Sequence, residues 1–511
     1  MRIAIVGGGV AGLSALWELS QHSDHNVHIY EKADWWGGHA HTVEFQRPGK
    51  EKCDIDTAFI AINEKNYPNF YKFLIDSGIE IVKTTMSFSL SRDRGKFEWA
   101  SDDLWALFCQ GSNIFKHRVY RMMWDILRFN LFAVDFLSVK GEAEEMSIGE
   151  YLDKEGYSQA FKEDYLLPLT AGIWSIPPEK VALDFPAMAL IRFFHNHQLL
   201  QLWGKPAWLT IKGGSKTYVE YIIRQMDPAK LHLGIGIENI RNTQDGVCVV
   251  TDQGQEEVFD KVILATHTDQ TVQILGSDIS AEEKALLGNC HWSANQCVVH
   301  YDESLMPVRK KAWTAWNYLT STSYIHPDHE SKTSASDVSS ISITFNLNIL
   351  QSLPLSKHGQ VLVTLNPPIQ PAEDKVISRW TYHHPELTPS LLIAQQNLET
   401  IQGKRGIYFG GAWTGYGFHE DGWRSGLEIV HRPEFGLNKT PGDIKYVHAR
   451  DVQTSAVERG LRMIVGLSDR VGKFTLTWIV WMFLFWISVL RRILGETGTI
   501  AIGGHGKSKR D

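Results

Sequence analysis

Gly7, Gly9 and Gly12 follow the apolar run Ile3–Val6 with G-x-G-x-x-G spacing and open a helical stretch from Leu13 to Ser20. Such a pattern can hold a pyrophosphate. The first glycine turns the chain off a strand, the second lets backbone approach the phosphates, and the third lets helix and sheet pack closely while helix amides face the charge. A second apolar run, Val27–Tyr30, ends in Glu31, whose carboxylate can accept hydrogen bonds from an adenosine ribose. An acid at that place disfavours a 2′-phosphate, so NADP is not expected. Side chains able to accept a proton or wall an apolar pocket gather far downstream: Tyr382, His383 and His384, then Trp413, Tyr416 and His419.

To bring these groups together the chain must return to its first sheet after long detours. Gly213 and Gly214 in "IKGGSKTYVEYI" open a predicted helix from Tyr218 to Met226. Strand-like runs follow at Leu231–Ile235, Ile237–Arg241, Val247–Thr251 and Val262–His267. The last return is "GIYFGGAWTGYGFHEDGWRSGLEIV", where strand residues Ile407–Phe409 run into Gly410 and Gly411, and a helix is predicted from Trp423 to Val430. A helix N-terminus there can stabilise negative charge on a bound ring.

After Glu31 the sequence continues "EKADWWGGHAHT", adding Gly37 and Gly38. With that continuation the chain resembles the flavin-containing amine oxidase superfamily. Within it, the chain is similar to the predicted NAD/FAD-binding group related to a flavin module joined to some cyclopropane fatty acid synthases. The resemblance covers about Met1–Pro433 and includes "DIDTAFIAIN", "WNYL", "LVTLNP", "YHHPEL" and "GFHEDG". It implies an α/β fold: a Rossmann-type FAD-binding domain built from discontinuous segments, with an α+β substrate domain. It also implies FAD contacts at Gly7, Gly9, Ala11, Gly12, Glu31, Lys32, Gly37, Gly38, His39, Thr57, Ile237, Ala265, Gly410, Gly411, Glu420 and Asp421. The family usually reads GGR where this chain has His39, which can still donate to phosphate or ribityl oxygens, though with a pH-dependent charge. Some relatives attach flavin through a late cysteine. Here no cysteine follows Cys297, so FAD is expected to be noncovalent, His383 being the alternative attachment point.

The composition suits this reading: 511 residues with 43% hydrophobic and 21% charged can bury more than one core. A net charge of −7, with no basic run interleaved with aromatics, argues against nucleic acid as a partner. Cys53, Cys109, Cys248, Cys290 and Cys297 form no C-x-x-C pair, which suits a reducing compartment, and no histidine pair has metal-site spacing.

The expected boundaries are FAD-binding segments at 1–68, 205–279 and 404–433, and substrate-domain segments at 69–204 (mostly helical) and 280–403 (strand-rich). A linker at 434–473, a membrane anchor at 474–490 and a basic tail at 491–511 complete the chain. From Leu104 to Leu137 aromatic and aliphatic residues are interrupted by Lys116, Arg118, Arg121 and Arg128, a pattern open to two readings, lipid contact or ordinary packing. Ser323–Ser340 reads as an exposed polar loop. Phe474–Leu490 carries no charge over 17 residues, and Lys473, Arg491 and Arg492 can snorkel at its ends. As a helix it would be about 25 Å long against a hydrocarbon core of about 30 Å. The N-terminus shows no secretory signal, so a single C-terminal anchor with the flavin domain facing the cytosol is expected.

Flavin accepts a hydride or two electrons, so the protein's task is to position a bond over the ring and exclude water. The leading expectation is oxidation, desaturation or isomerisation of a hydrophobic, lipid-linked substrate at a membrane. His419 or His383 would accept the proton, with Trp413, Tyr416, Tyr382 and His384 beside the flavin. A true amine oxidase, with Trp413 and Tyr416 as an aromatic cage, is the rival. A noncatalytic flavin-binding membrane module is a third reading. The sequence leaves the oligomeric state open.

Overall fold

The computed structural model describes residues 1–138, 146–174, 183, 185–202, 206–321, 342–437, 444–446 and 456–471. It divides into two compact units, one of Met1–Thr84, Trp208–Asn295 and Trp380–Tyr446, the other of Thr85–Ala207, Gln296–Arg379 and Val447–Asp511.

The first unit is built on a five-stranded parallel sheet in the order Ile407–Phe409, Lys261–Leu264, Arg2–Val6, Asn26–Glu31, Leu231–Leu233. Apart from the consecutive pair Arg2–Val6 and Asn26–Glu31, neighbours in this sheet are far apart in the chain, and their continuous Val, Ile and Leu content suits strands covered on both faces. Ile3, Ile5, Ile29 and Ile263 are fully buried in the core beneath. A three-stranded antiparallel meander, Ile237–Thr243, Gly246–Thr251 and Glu256–Phe259, was legible in the sequence only for its first two strands. Its third strand carries Glu256 and Glu257, and its cross-strand hydrogen bonds outweigh poor strand propensity.

Two helices lie against each other in this unit, Val10–His22 and His419–Val430. Glycine makes the approach possible: a Cβ at Gly426 would fall 2.0 Å from Ser14 Oγ and 2.3 Å from the Ala11 carbonyl oxygen, and one at Gly422 would fall 2.5 Å from Val10 Cγ1. A buried contact of 2.9 Å between His431 Nε2 and Glu18 Oε1 joins the same pair of helices near their far ends. The second helix begins at His419, ahead of the predicted Trp423, because Asp421 Oδ2 accepts the Phe418 amide at 3.0 Å and fixes the first turn earlier.

Asp56, buried at the end of the strand Cys53–Asp56, binds together three chain segments. Its Oδ1 accepts from Thr42 Oγ1 (2.6 Å), Ser215 Oγ (2.6 Å) and the Ser215 amide (2.8 Å). This anchors the start of the helix Lys216–Ile223, which therefore begins and ends slightly before the predicted Tyr218–Met226.

The second unit centres on a seven-stranded sheet in the order Val376–Pro385, Trp292–His300, Leu362–Leu365, Ser342–Asn346, Trp316–Thr320, Phe88–Arg92, Phe97–Ala100. From Trp292–His300 to Phe97–Ala100 the pairings are antiparallel except Trp316–Thr320 with Phe88–Arg92. The stretch expected to be mostly helical thus supplies two strands to this sheet. Their alternating Ser and aromatic residues carry a period-two signal that the helical reading passed over. The helix His117–Phe132 buries Val119, Met122, Met123, Trp124, Ile126 and Phe129, and Arg121 and Arg128 both pair with the buried Asp125. Packing inside the unit, the plainer of the two readings, accounts for that face. Asp164 and Glu98 are likewise buried and paired, with Arg92 and Arg118, and with Arg309.

Among the described residues no helix is long and apolar enough to cross a membrane. The segment Phe474–Leu490 and the loop Ser323–Ser340 lie outside the described residues.

Candidate functional site

The glycine turn sits at the C-terminal edge of the parallel sheet, between strand Arg2–Val6 and helix Val10–His22. Gly7 has φ +104°, and a Cβ there would fall 2.6 Å from the Ala265 carbonyl oxygen, so only glycine fits. A Cβ at Gly9 would meet no protein atom within 4 Å, so this turn opens outward where Gly7 and Gly12 close inward. No side chain caps the helix, so its first-turn amides are presented without a competing protein acceptor at the cap. The second glycine pair meets this turn backbone to backbone: the Gly37 amide donates to the Gly8 carbonyl at 2.9 Å, and Gly38 faces Gly9.

Glu31 ends the neighbouring strand and holds the turn in place, Oε2 accepting the Gly8 amide (2.7 Å) and Oε1 the Ala33 amide (2.8 Å). Burial raises its carboxyl above the usual range and those amides oppose the shift. Each oxygen keeps a lone pair for a ribose hydroxyl. Lys32 is exposed beside it, near Gly236. Ala11 is buried in the first helical turn, and Ile237 opens the meander, half-buried.

On the opposite flank, Gly410 and Gly411 leave strand Ile407–Phe409, and the Gly411 amide donates to Ser425 Oγ at 2.9 Å. Trp413 lies buried beneath this turn and its indole N–H donates to the Gly410 carbonyl at 3.2 Å. It therefore forms a floor for the turn. Glu420 turns away from its own helix: Oε1 accepts from the Asn69 amide (3.0 Å) and Nδ2 (2.7 Å), and Oε2 accepts from the Phe70 amide (3.0 Å). It thereby caps the helix Pro68–Asp76, and burial lifts its carboxyl to about 7. Asp421 Oδ2 is taken by the Tyr416 and Phe418 amides, both at 3.0 Å. Both acids serve protein amides, a role their sequence position alone does not reveal. Tyr416 is half-buried in that loop.

Imidazoles dominate what remains. His419 is stacked on Phe59 with ring centroids 3.6 Å apart and has Phe70 edge-on at 4.7 Å. Its Nε2 is buried without a partner, and burial, reinforced by His39, holds its pKa well below the usual value. His39 is pushed down to about 4, mainly by burial and also by His383, while a hydrogen bond to the His383 backbone partly offsets this. Its Nε2 is also buried and unpartnered.

His267 stacks on Trp292 at 3.8 Å, and His384 lies 5.4 Å from His39 and contacts Asn295 Nδ2 at 3.1 Å. Burial and the neighbouring histidines push both down to about 3. Tyr382 links the set: its hydroxyl meets Thr57 Oγ1 at 2.5 Å and His41 Nδ1 at 3.0 Å, and its ring lies 4.9 Å from His39. His383 is exposed on the same strand, Val376–Pro385. Sequence reading gave no role to Phe59, Trp292 or Asn295. Phe59 stands inside the quoted "DIDTAFIAIN", whereas Trp292 and Asn295 sit in a stretch with no motif. Among the described residues no group of His, Cys, Asp and Glu could hold a metal ion, and the five cysteines are free thiols.

A glycine-lined double turn, an uncapped helix start, a strand-end carboxylate and two sealed, unpartnered imidazole nitrogens fit a dinucleotide that carries a ring. The model of flavin-containing amine oxidoreductases matches residues 10–339. The chain belongs to this family. FAD is the family's cofactor, typically bound noncovalently, and the chain is an FAD-dependent oxidoreductase of the amine-oxidase type. No match was found among curated proteins. Solved structures share the fold. A fatty acid isomerase from P. acnes that produces CLA aligns with TM-score 0.59 and 15% identity over 84% of this chain and 98% of its own. A putative protoporphyrinogen oxidase from Exiguobacterium sp. aligns with TM-score 0.55 and 15% identity over 85% and 99%. Putrescine oxidase bound to putrescine gives TM-score 0.57 and 12% identity over 84% and 100%.

Proposed function

We propose that this flavin-containing amine oxidoreductase family member oxidises, desaturates or isomerises a hydrophobic, lipid-linked substrate at a membrane. The observation that carries the reading is the imidazole cluster itself. His39, His267, His384 and His419 are all held neutral by burial, and none is hydrogen-bonded to a carboxylate. Such an uncharged, aromatic-lined cluster suits an uncharged acyl chain. The fatty acid isomerase among the fold relatives supports the substrate class by analogy.

Bound FAD supplies hydride or electron acceptance. The chain's residues do the rest. Backbone amides at the two helix starts hold the anionic parts, and Glu31 orients the ribose. His419, fixed by the Phe59 stack, or His383 on the strand Val376–Pro385 would accept the substrate proton. Tyr382, Thr57 and His41 form a hydrogen-bonded line that fixes the pocket wall. The uncharged run Phe474–Leu490 anchors the chain, with the flavin domain facing the cytosol.

Anaerobic mixing of the FAD-loaded protein with unsaturated fatty acyl compounds, and separately with amines, tests this. Loss of the oxidised flavin absorbance, or a shifted double bond in the recovered lipid, is expected only with the acyl compounds. Bleaching by amines with aldehyde and peroxide release would replace this reading with the amine oxidase one. A chain ending before Phe474 should leave the membrane fraction, and persistent binding would sink the anchor.

A further inference from the structure

The helix Ala456–Val471 is apolar over more of its circumference than the second unit covers. Its inner stripe, Leu461 and Val465, packs on Trp124, Leu127, Leu131, Phe132 and Leu202. An ion pair of 2.9 Å from Arg462 to Asp135, on the same side, fixes the helix's rotation. Successive residues turn by about 100°, so Val457, Gly460, Met463 and Leu467 form a second stripe pointing elsewhere. That stripe is open: Val457 and Met463 are 65% exposed and Leu467 is 54% exposed. Exposed aliphatic side chains scattered singly are ordinary, but three aligned along one helix face are not.

We propose that this face lies in the plane of an anionic lipid surface, with Val457, Met463 and Leu467 dipping into the boundary between headgroups and acyl chains. Two observations choose lipid over a protein partner. The helix is described as far as Val471, and the 17-residue uncharged run begins at Phe474 in the sequence, so a membrane reading of that run sets this face beside the same bilayer. Setting aside Arg462, which Asp135 neutralises, the chain from 456 to 473 carries three basic residues (Arg459, Arg470, Lys473) against two acidic ones (Glu458, Asp469), and that excess favours anionic headgroups. A helix clamped on its inner side and apolar on its outer side would set the second unit's orientation to the bilayer, which a tether alone cannot do.

The inference rests on the membrane reading above, and one experiment separates the two. The full FAD-loaded chain carries p-benzoylphenylalanine in place of Leu467, or of Arg459 as a control on the polar side. Each form is reconstituted with vesicles of phosphatidylcholine and phosphatidylglycerol, irradiated and floated. Expected are flotation of both forms and a phospholipid adduct at least tenfold stronger from position 467 than from 459. Flotation with equal adducts, or with a crosslink at 467 to a second copy or to this chain's own residues, overturns the inference alone. Failure to float overturns the inference together with the membrane reading.

Discussion

At the residue scale, the site works through groups that burial keeps uncharged, and this has a signed consequence for pH. His384 and His39 are held at about 3 and about 4 against 6.5 when exposed. Folding therefore favours their deprotonated forms, so their stability contribution is whole above about 6.5 and is lost as pH falls toward 4. Glu420 acts in the opposite direction: with its carboxyl raised to about 7 from 4.5, its contribution is whole below 4.5 and is lost as pH rises through 7. Urea unfolding across this range should show His384→Asn flattening the acid limb and Glu420→Gln flattening the alkaline limb. A pH profile unchanged in both variants would contradict the burial of these groups. Tyr382→Phe removes both hydroxyl contacts and leaves Thr57 and His41 to find others, which should cost about 1–3 kcal/mol in the same assay. His419→Phe keeps a ring over Phe59 but no base. Bound flavin should be retained while turnover falls about 10²–10⁴-fold.

At the element scale, the sequence disclosed those parts whose backbone chemistry is written in residue type. Gly7, Gly9, Gly12, Gly37 and Gly38 announced the double turn, and Ile3–Val6, Val27–Tyr30 and Ile407–Phe409 the parallel strands around it. What stayed hidden depends on partners distant in the chain. Glu420 and Asp421 stand among the FAD contacts that the resemblance implies, just ahead of the predicted helix, and only the approach of Asn69 and of the Tyr416 loop shows what they bind here. Trp292 and Asn295 belong to the imidazole cluster through a return of the chain that no local pattern marks. The contact of the helices Val10–His22 and His419–Val430 was equally silent, since Gly422 falls just ahead of the predicted helix and Gly426 inside it, with nothing local to mark a close approach. Gly426→Ala should force these helices apart and destabilise the protein by about 1–3 kcal/mol or more, with weakened FAD retention, measurable by thermal unfolding and by flavin release on dilution.

At the scale of the whole molecule, every residue expected to touch FAD falls within the first unit. Adding FAD to stripped protein should slow hydrogen exchange in Met1–Thr84, Trp208–Asn295 and Trp380–Tyr446 more than in the second unit. At a hundredfold excess over the dissociation constant it should add about 2.7 kcal/mol of stability. Protection spread evenly through both units would contradict that confinement. The parallel sheet has one further effect. Strand Ile407–Phe409 closes one edge, and helix His419–Val430 docks on the first helix, so a nascent chain still on the ribosome holds an unfinished nucleotide fold until Val430 has emerged. Cofactor capture is thereby postponed until some 430 residues have been made, and a product terminated before Ile407 cannot sequester flavin.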